Sequence, residues 1–447
     1  MPDAFMHRTL IGWISEFVHR PLPGQWPQIG LDDETLSDLE SHFDLASEAG
    51  YNEVVIWGFC AGRRWPLDIV SSVDDDRRAR IQRALDAAHA RGLKVHAGLG
   101  IYSWGFDEII EANPHLSRGN PHAMCPSVPE SRVWMEKVAD FVFSFAFDGL
   151  NMQSADQGRC TCDECQALSD VAYHSRLNAQ VADYVRARWP GKTLIMDNWG
   201  CPFGDPEQLP NLLEMSKRLD YIVDHNNSVA AAAGRGYRRK LIAALACPFG
   251  TLAGVSVWPP QRWAADKWFL PTTLLNTDYV RALHEDGARA VEQFATRLAN
   301  PSGEVSLRFM GALLSNVHAD PHALLADAVE RTYGTRDAAT REGLSGLVAE
   351  AERAYFRHSG RDLSSFTGLL YVDGGLMPRQ EPSPETYLLD MPAGELAAYG
   401  AAMERLAEDF EKLRPGIAEV DKAHLTARCF QSVLADTRRV AAAKAGA

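Results

Sequence analysis

RRARIQRALDAAHARGLKVHAGLG, Arg77 to Gly100, is the stretch that decides the fold. A helical pattern runs to Gly92, a natural helix stop, and a short strand pattern follows from Lys94 to Leu99. The unit before it has the same grammar. In DETLSDLESHFDLASEAG, Asp33 can cap a helix, apolar residues recur at Leu36, Leu39, Phe43 and Leu45, and Gly50 ends it ahead of a strand at Glu53 to Trp57. Working outward, further strand patterns fall at Thr9 to Ile14, Gly149 to Gln153, Thr193 to Asp197, Tyr221 to Asp224, Leu241 to Leu245 and Gly254 to Trp258. Short strands alternating with longer helices signify βα units around a parallel sheet. About eight of them favour a closed (β/α)₈ TIM barrel over an open doubly wound sheet. A dinucleotide-binding sheet would also want GxGxxG after its first strand, where this chain has SEFVHRPLPGQW.

After about Leu270 strand patterns become rare. DYVRALHEDGARAVEQFATRL, HALLADAVERTYG and PAGELAAYGAAMERLAEDFEKL read as amphipathic helices. The expected organisation is α/β, with a (β/α)₈ barrel over residues 1–270 and a mainly α-helical C-terminal region over 271–447. The Gly- and Pro-rich piece from Ser364 to Pro392 interrupts those helices as a long loop.

Size and charge agree with this reading. A chain of 447 residues exceeds the usual domain of about 100 to 200, so one barrel with a companion fits. With 45 Lys+Arg against 59 Asp+Glu, the net charge of −14 repels phosphate backbones and anionic membranes, and there is no dense basic run. Nucleic acid and membrane are not expected partners. The N-terminus has Asp3 where a secretion signal wants positive charge, and its apolar stretch is broken by Arg8, Gly12 and Glu16. Eight cysteines are too few for a disulfide scaffold in a chain of this size, which favours a reducing cytoplasm. A homo-oligomer is compatible with the composition.

In such a barrel, chemistry gathers past the C-terminal ends of the strands. There this sequence is polar and aromatic: Ser15 and Glu16 after the first strand, Trp57 closing the second, Tyr102, Trp104 and Asp107 after the third, and Ser154, Asp156 and Gln157 after the fourth. The fifth ends in Asp197, Asn198 and Trp199, the sixth in Asp224, His225 and Asn226, and the last in Trp258. Indoles stack on the flat C–H faces of sugar rings, while carboxylates, amides and histidine bind hydroxyls. Glycosidic hydrolysis needs two carboxyls, one protonated and one ionised. Asp156, Asp197 and Asp224 are the candidates to supply them. Trp57, Trp104, Gln157, Asn198, Trp199, His225, Asn226 and Trp258 are the candidate substrate contacts. A plainer role competes for each aspartate, because Asp at a βα junction often caps the next helix.

The segments DGLNMQSADQGRCTCDECQAL, Asp148 to Leu168, and NPHLSRGNPHAMCPSVPESR, Asn113 to Arg132, resemble a loose set of bacterial barrel proteins related to family 20 hexosaminidases and family 67 α-glucuronidases. The resemblance implies a (β/α)₈ catalytic barrel, a helical C-terminal region and carbohydrate as the substrate class. Family 20 places an Asp-Glu pair where this chain has Asp156-Gln157. Glutamine cannot donate a proton, so only Asp156 carries over as a site residue.

Cys160, Cys162 and Cys165 are spaced to ligate one ion. A tetrahedral structural zinc wants a fourth ligand, for which Cys125 is the first choice ahead of His122 and Cys201. Three reduced thiols packing a loop are the alternative. No organic cofactor is indicated. Besides a glycoside hydrolase, two readings stay open: a metal-dependent TIM-barrel hydrolase or isomerase of small polar molecules, for which only His96 and His225 fall near strand ends, and a non-catalytic sugar-binding barrel.

Overall fold

The computed structural model of the chain describes residues 3–20, 29–62, 64–154, 157–198, 201, 203–224, 228–252, 267–359, 386–389 and 391–446. Eight parallel strands close into one barrel in sequence order: β1 (His7–Trp13), β2 (Glu53–Trp57), β3 (Lys94–Gly100), β4 (Gly149–Gln153), β5 (Thr193–Asp197), β6 (Tyr221–Asp224), β7 (Phe249–Leu252) and β8 (Ala290–Phe294). Each is followed by a helix: α1 (Asp33–Ala49), α2 (Asp75–Ala90), α3 (Pro129–Val142), α4 (Asp170–Arg188), α5 (Leu209–Ser216), α6 (Ser228–Ala244), α7 (Thr277–Glu285) and α8 (Pro301–Ser315). Among the described residues, the remaining long helices are α9 (Pro321–Tyr333), α10 (Ala338–Ser359), α11 (Ala393–Leu413) and α12 (Val420–Ala445), so a TIM barrel is followed by a helical region as expected. α10 packs on α11, and α11 on α12.

The first six strands lie where their patterns place them. The last two do not. Leu241 to Leu245 belongs to the end of α6 and the turn after it, with β7 beginning at Phe249. A four- or five-residue apolar run does not distinguish a strand from the buried stripe of a helix. Gly254 to Trp258 lies outside the described residues, and the eighth strand is Ala290–Phe294, inside a segment that reads as one amphipathic helix. Gly287, at φ 104°, breaks that helix and turns the chain into β8. The barrel therefore runs past residue 270, and β8 and its helix α8 carry it to Ser315. A smaller adjustment concerns α1, whose N-cap is Asp32: its carboxylate accepts the Thr35 N–H.

One buried cluster contains Ile11, Val55, Trp57, Ile195, Val223, Leu252 and Phe294. Strands as far apart as β1 and β5 share it, so these side chains point into the barrel, and strand alternation assigns the rest of the inner face. The register aligns Trp13 with Trp57, Gln153 with Asp197, and Asp197 with Val223. The lower interior is polar. Glu53 is bonded to His7 Nδ1 (2.7 Å), to His96 Nε2 (3.2 Å) and by Tyr221 Oη (2.8 Å), while Asn151 Nδ2 donates to Glu292 Oε1 (3.1 Å). Burial alone would raise the Glu53 carboxyl, but the bonds from His7 and His96 hold it well below the usual carboxylate range. His96 is thus committed to the N-terminal half of the barrel, away from the strand ends where a catalytic metal ligand would have to stand.

Candidate active site

The barrel mouth is polarised. On the side of β1 to β3, Trp13, Trp57 and Trp104 form an aromatic corner, with ring centroids 5.5 Å apart for Trp13 and Trp57, 5.0 Å for Trp13 and Trp104, and 5.7 Å for Trp57 and Trp104. β3 makes room for them with glycine. A Cβ on Gly98 would stand 2.3 Å from the Trp57 ring, and one on Gly100 would stand 2.7 Å from Trp104. The loop after β3 is strained as well, since Tyr102 and Trp104 adopt φ of 60° and 54°. For bulky L-residues that backbone costs on the order of 1–3 kcal/mol each unless their surroundings impose it. Here they do. Tyr102 Oη donates to Gln180 Oε1 (2.7 Å), Met124 N–H donates to the Tyr102 carbonyl (2.7 Å), and Ser103 bridges to Ala123.

Across the mouth, β4 to β6 bring acids and amides. Asp197, 1% exposed, ends β5 on its inward face beside Gln153. Asp224 is equally buried but belongs to the opposite set, because Val223 is the β6 residue aligned with Asp197. Its Oδ1 accepts from Asn198 Nδ2 (2.8 Å) and its Oδ2 from the Val229 N–H in the first turn of α6 (3.0 Å). Asn198 Nδ2 also reaches the Cys201 carbonyl (3.0 Å), and Thr251 Oγ1 donates to the Asp224 carbonyl (3.0 Å). Asp224 thus joins the ends of β5, β6 and β7, and in part does the capping work that competes with a catalytic role. At β4, Ser154 Oγ is bonded to His174 Nδ1 (2.9 Å) and receives Asn178 Nδ2 (3.3 Å), both from α4. Burial lowers His174 to about 4, so that ring is neutral at physiological pH.

Of the residues singled out in the sequence, Trp57, Trp104 and Asp197 face this mouth, while Asn198 and Asp224 stand at the same strand ends with their side chains paired in the opposite set. Gln157 is exposed on the loop after β4, where its carbonyl accepts from Asn120 Nδ2 (3.0 Å). Asp156, Trp199, His225, Asn226 and Trp258 lie outside the described residues. Trp13 escapes the sequence reading, although a tryptophan closing each of two adjacent strands is the signal that could have found it.

Beside the mouth, Cys125, Cys160, Cys162 and Cys165 gather, their sulfurs all within 4.8 Å of one another. Cys125 Sγ is 3.8 Å from Cys162 Sγ and 4.0 Å from Cys165 Sγ. Tetrahedral coordination with Zn–S bonds of about 2.3 Å separates sulfurs by about 3.8 Å, so this donor set could hold a metal ion. Burial pushes the Cys160 thiol up to about 11. At Cys162 desolvation works to raise the thiol, but bonds from the Cys165 N–H and the neighbouring thiols together outweigh it and bring the group down to about 7. The surroundings are fixed: Cys160 N–H donates to Tyr173 Oη (3.1 Å), Arg159 bonds Asp170 and the Leu168 carbonyl, and Asn120 Nδ2 spans the carbonyls of Gln157 and Arg159. His122, whose ring is bonded to Asp107, and Cys201, the weaker fourth ligands, do not belong to this cluster. The cluster joins the β3–α3 loop, which carries Trp104, to the β4–α4 loop.

A closed (β/α)₈ barrel with an aromatic and acidic mouth is the class that fold and site define. No protein-family model matches the chain, and no curated protein matches it by sequence. Among solved structures it is similar in fold to a GH138 enzyme targeting pectin rhamnogalacturonan II, with a TM-score of 0.60 and 11% identity over 98% of this chain and 57% of that one. It is also similar to CpGH84B, with a TM-score of 0.55 and 10% identity over 99% of this chain and 70% of that one. The chain thus spans little more than half the length of the GH138 enzyme. At these identities the likeness is one of fold, and the two proteins carry GH138 and GH84 designations rather than those of families 20 and 67. Among the described residues, no helix is long and apolar enough to cross a membrane.

Proposed function

We propose that this protein is a glycoside hydrolase. The observation that carries the reading is the two-sided mouth: tryptophans closing β1 and β2 and one in the loop after β3 offer a stacking surface for a sugar ring, and a buried carboxylate ends β5 on its inward face. Both named structural neighbours bear glycoside-hydrolase family designations, which supports the class. Asp197 is assigned as base or nucleophile, and Asp156 remains the candidate for the acid or the substrate-orienting carboxylate. Asp224 holds Asn198 and the strand ends, which makes it the weakest of the three as a reacting group. Trp57 and Trp104, with Trp13, form the sugar platform. The four-cysteine cluster holds a structural zinc that keeps the β3 and β4 loops in register. Such closed sites leave no open position for water, so the metal supplies order and not chemistry. None of the eight cysteines is in a disulfide, which supports a reducing, cytoplasmic setting.

The test is turnover by Asp197→Asn on a panel of aryl glycosides and oligosaccharides. Loss of an essential carboxylate lowers kcat by about 10² to 10⁴, with binding retained. Wild-type turnover by the variant on a glycoside that the parent cleaves removes Asp197 from the mechanism. Sugar binding without turnover by the parent on every glycoside identifies a non-catalytic barrel instead.

A further inference from the structure

The connection between β7 and α7 lies on the C-terminal face of the barrel, and its described part, residues 267–276, is bonded largely to the last third of the chain. Leu270 N–H donates to Ser302 Oγ (3.2 Å) and Thr272 N–H to Ser306 Oγ (2.9 Å), two serines one turn apart on α8. Thr273 N–H donates to Glu352 Oε1 (2.5 Å), Thr273 Oγ1 to Glu352 Oε2 (3.1 Å) and Leu275 N–H to the same Oε2 (3.4 Å). The Trp268 carbonyl accepts from Asn300 Nδ2 (2.8 Å), its indole N–H donates to Asp436 (2.8 Å), and Phe269 stacks on Phe430 at 4.6 Å. Side chains of α8, α10 and α12 thus supply partners that a neighbouring strand would otherwise give. Glu352 is fully buried in doing so. A carboxylate taken out of water to serve one loop needs a reason beyond packing, since an apolar residue fills the same space at lower cost.

The segment also leads into the site. α7 follows at once, and its Tyr279 Oη donates to the carbonyl of Leu252, the last residue of β7 (3.5 Å). On the preceding residue, Thr251 Oγ1 donates to the Asp224 carbonyl, and the Asp224 carboxylate orders Asn198 and the first turn of α6. We infer that the helical region clamps the β7–α7 rim of the barrel, and that Glu352 is a positioning residue, acting through Tyr279 and Thr251 on the Asp224–Asn198 pair beside Asp197. As a statement about sugar chemistry this rests on the glycosidase reading. As a statement about the clamp it does not.

The experiment is amide hydrogen exchange on the full chain for Glu352→Leu, Glu352→Gln and Thr251→Val, with kinetics on any glycoside the parent cleaves. Thr251→Val keeps the shape and removes the side-chain bond from β7 to the Asp224 carbonyl together with the one to Tyr279, leaving the β6–β7 backbone pairing in place. Glu352→Leu is expected to accelerate exchange at Thr273 and Leu275 and at Val229 by roughly tenfold or more, the effect of removing a buried hydrogen-bond acceptor, while the amides of β1 to β4 keep their rates. Glutamine at 352 restores most of the protection, because it still accepts from Thr273 N–H. Thr251→Val accelerates Val229 alone. In kinetics, Glu352→Leu lowers kcat with KM little changed, and glutamine rescues it. Faster exchange at 273 and 275 with Val229 unmoved in both Glu352→Leu and Thr251→Val overturns the inference, as does a uniform rise over all strands. If the parent cleaves no glycoside, the glycosidase reading fails and the exchange pattern still decides the clamp.

Discussion

Glutamine in place of Glu352 should remove a titration that the native fold otherwise carries. The Glu352 carboxyl has no exposed surface, and burial raises it from its ordinary 4.5 to about 7 against the pull of the Thr273 and Leu275 donors. The folded protein therefore keeps this proton up to about pH 7, whereas the unfolded chain releases it near 4.5. Between those values the native state binds more protons, so stability falls as pH rises. The cost is absent below about 4.5 and complete above about 7. At about 1.4 kcal/mol per unit, the raised value corresponds to about 3 kcal/mol. Glutamine resembles the protonated carboxyl and does not titrate. Any fixed gain or loss from its altered bond to Leu275 is the same at every pH and cancels from the difference. Urea unfolding of parent and Glu352→Gln between pH 4.5 and 8 measures the effect. The stability of the variant relative to the parent should grow by about 3 kcal/mol across that window, with most of the change between 5 and 7. Parallel curves would show that the carboxyl titrates alike in both states, and would refute the desolvation that raises it in the native fold.

Gly98→Ala places a methyl 2.3 Å from the buried Trp57 ring, so it should cost about 1–3 kcal/mol by overpacking and shift the tryptophan emission; an unchanged melting temperature and spectrum would contradict the aromatic corner. Glu53→Gln leaves His7, His96 and Tyr221 without their shared carboxylate and should destabilise by about 3–5 kcal/mol. Because the Glu53 pKa is depressed, that difference should be present at pH 7 and shrink as pH falls below about 4.5, which acid unfolding of the two proteins will show. Elemental analysis of protein made in zinc-containing medium should give one zinc per chain, and Cys125→Ser should abolish it and expose the 160–165 loop to protease; metal-free protein with four rapidly titrated thiols would remove the zinc.

The sequence locates six of the eight strands because each is a short β-branched or apolar run set off by a glycine, proline or polar break, and because a period of two next to a period of 3.6 is a local signal. β7 and β8 escape it for physical reasons. α6 ends in Leu241 and Ile242 with Leu245 just past it, an apolar run with strand composition, and β8 is five residues of AVEQF whose Glu292 and Gln293 look like the polar side of a helix until the barrel buries them. Only closure of the sheet shows that they face inward or pack beneath helices. The site has the same limit. Trp57, Trp104 and Asp197 are legible as strand-end residues, but Asp224 reads as the equal of Asp197 although the two belong to opposite sets. Parity between strands is fixed by register, and a shift of one residue exchanges the two faces. The Asp197–Val223 alignment sets that parity here, and it turns one of two apparently equivalent aspartates toward the barrel mouth and the other toward the scaffold. The helical region is legible only as helices. Its bearing on the site depends on one buried glutamate and two serines reaching a rim roughly 30 to 80 residues away in sequence, contacts that no periodicity within a helix could announce.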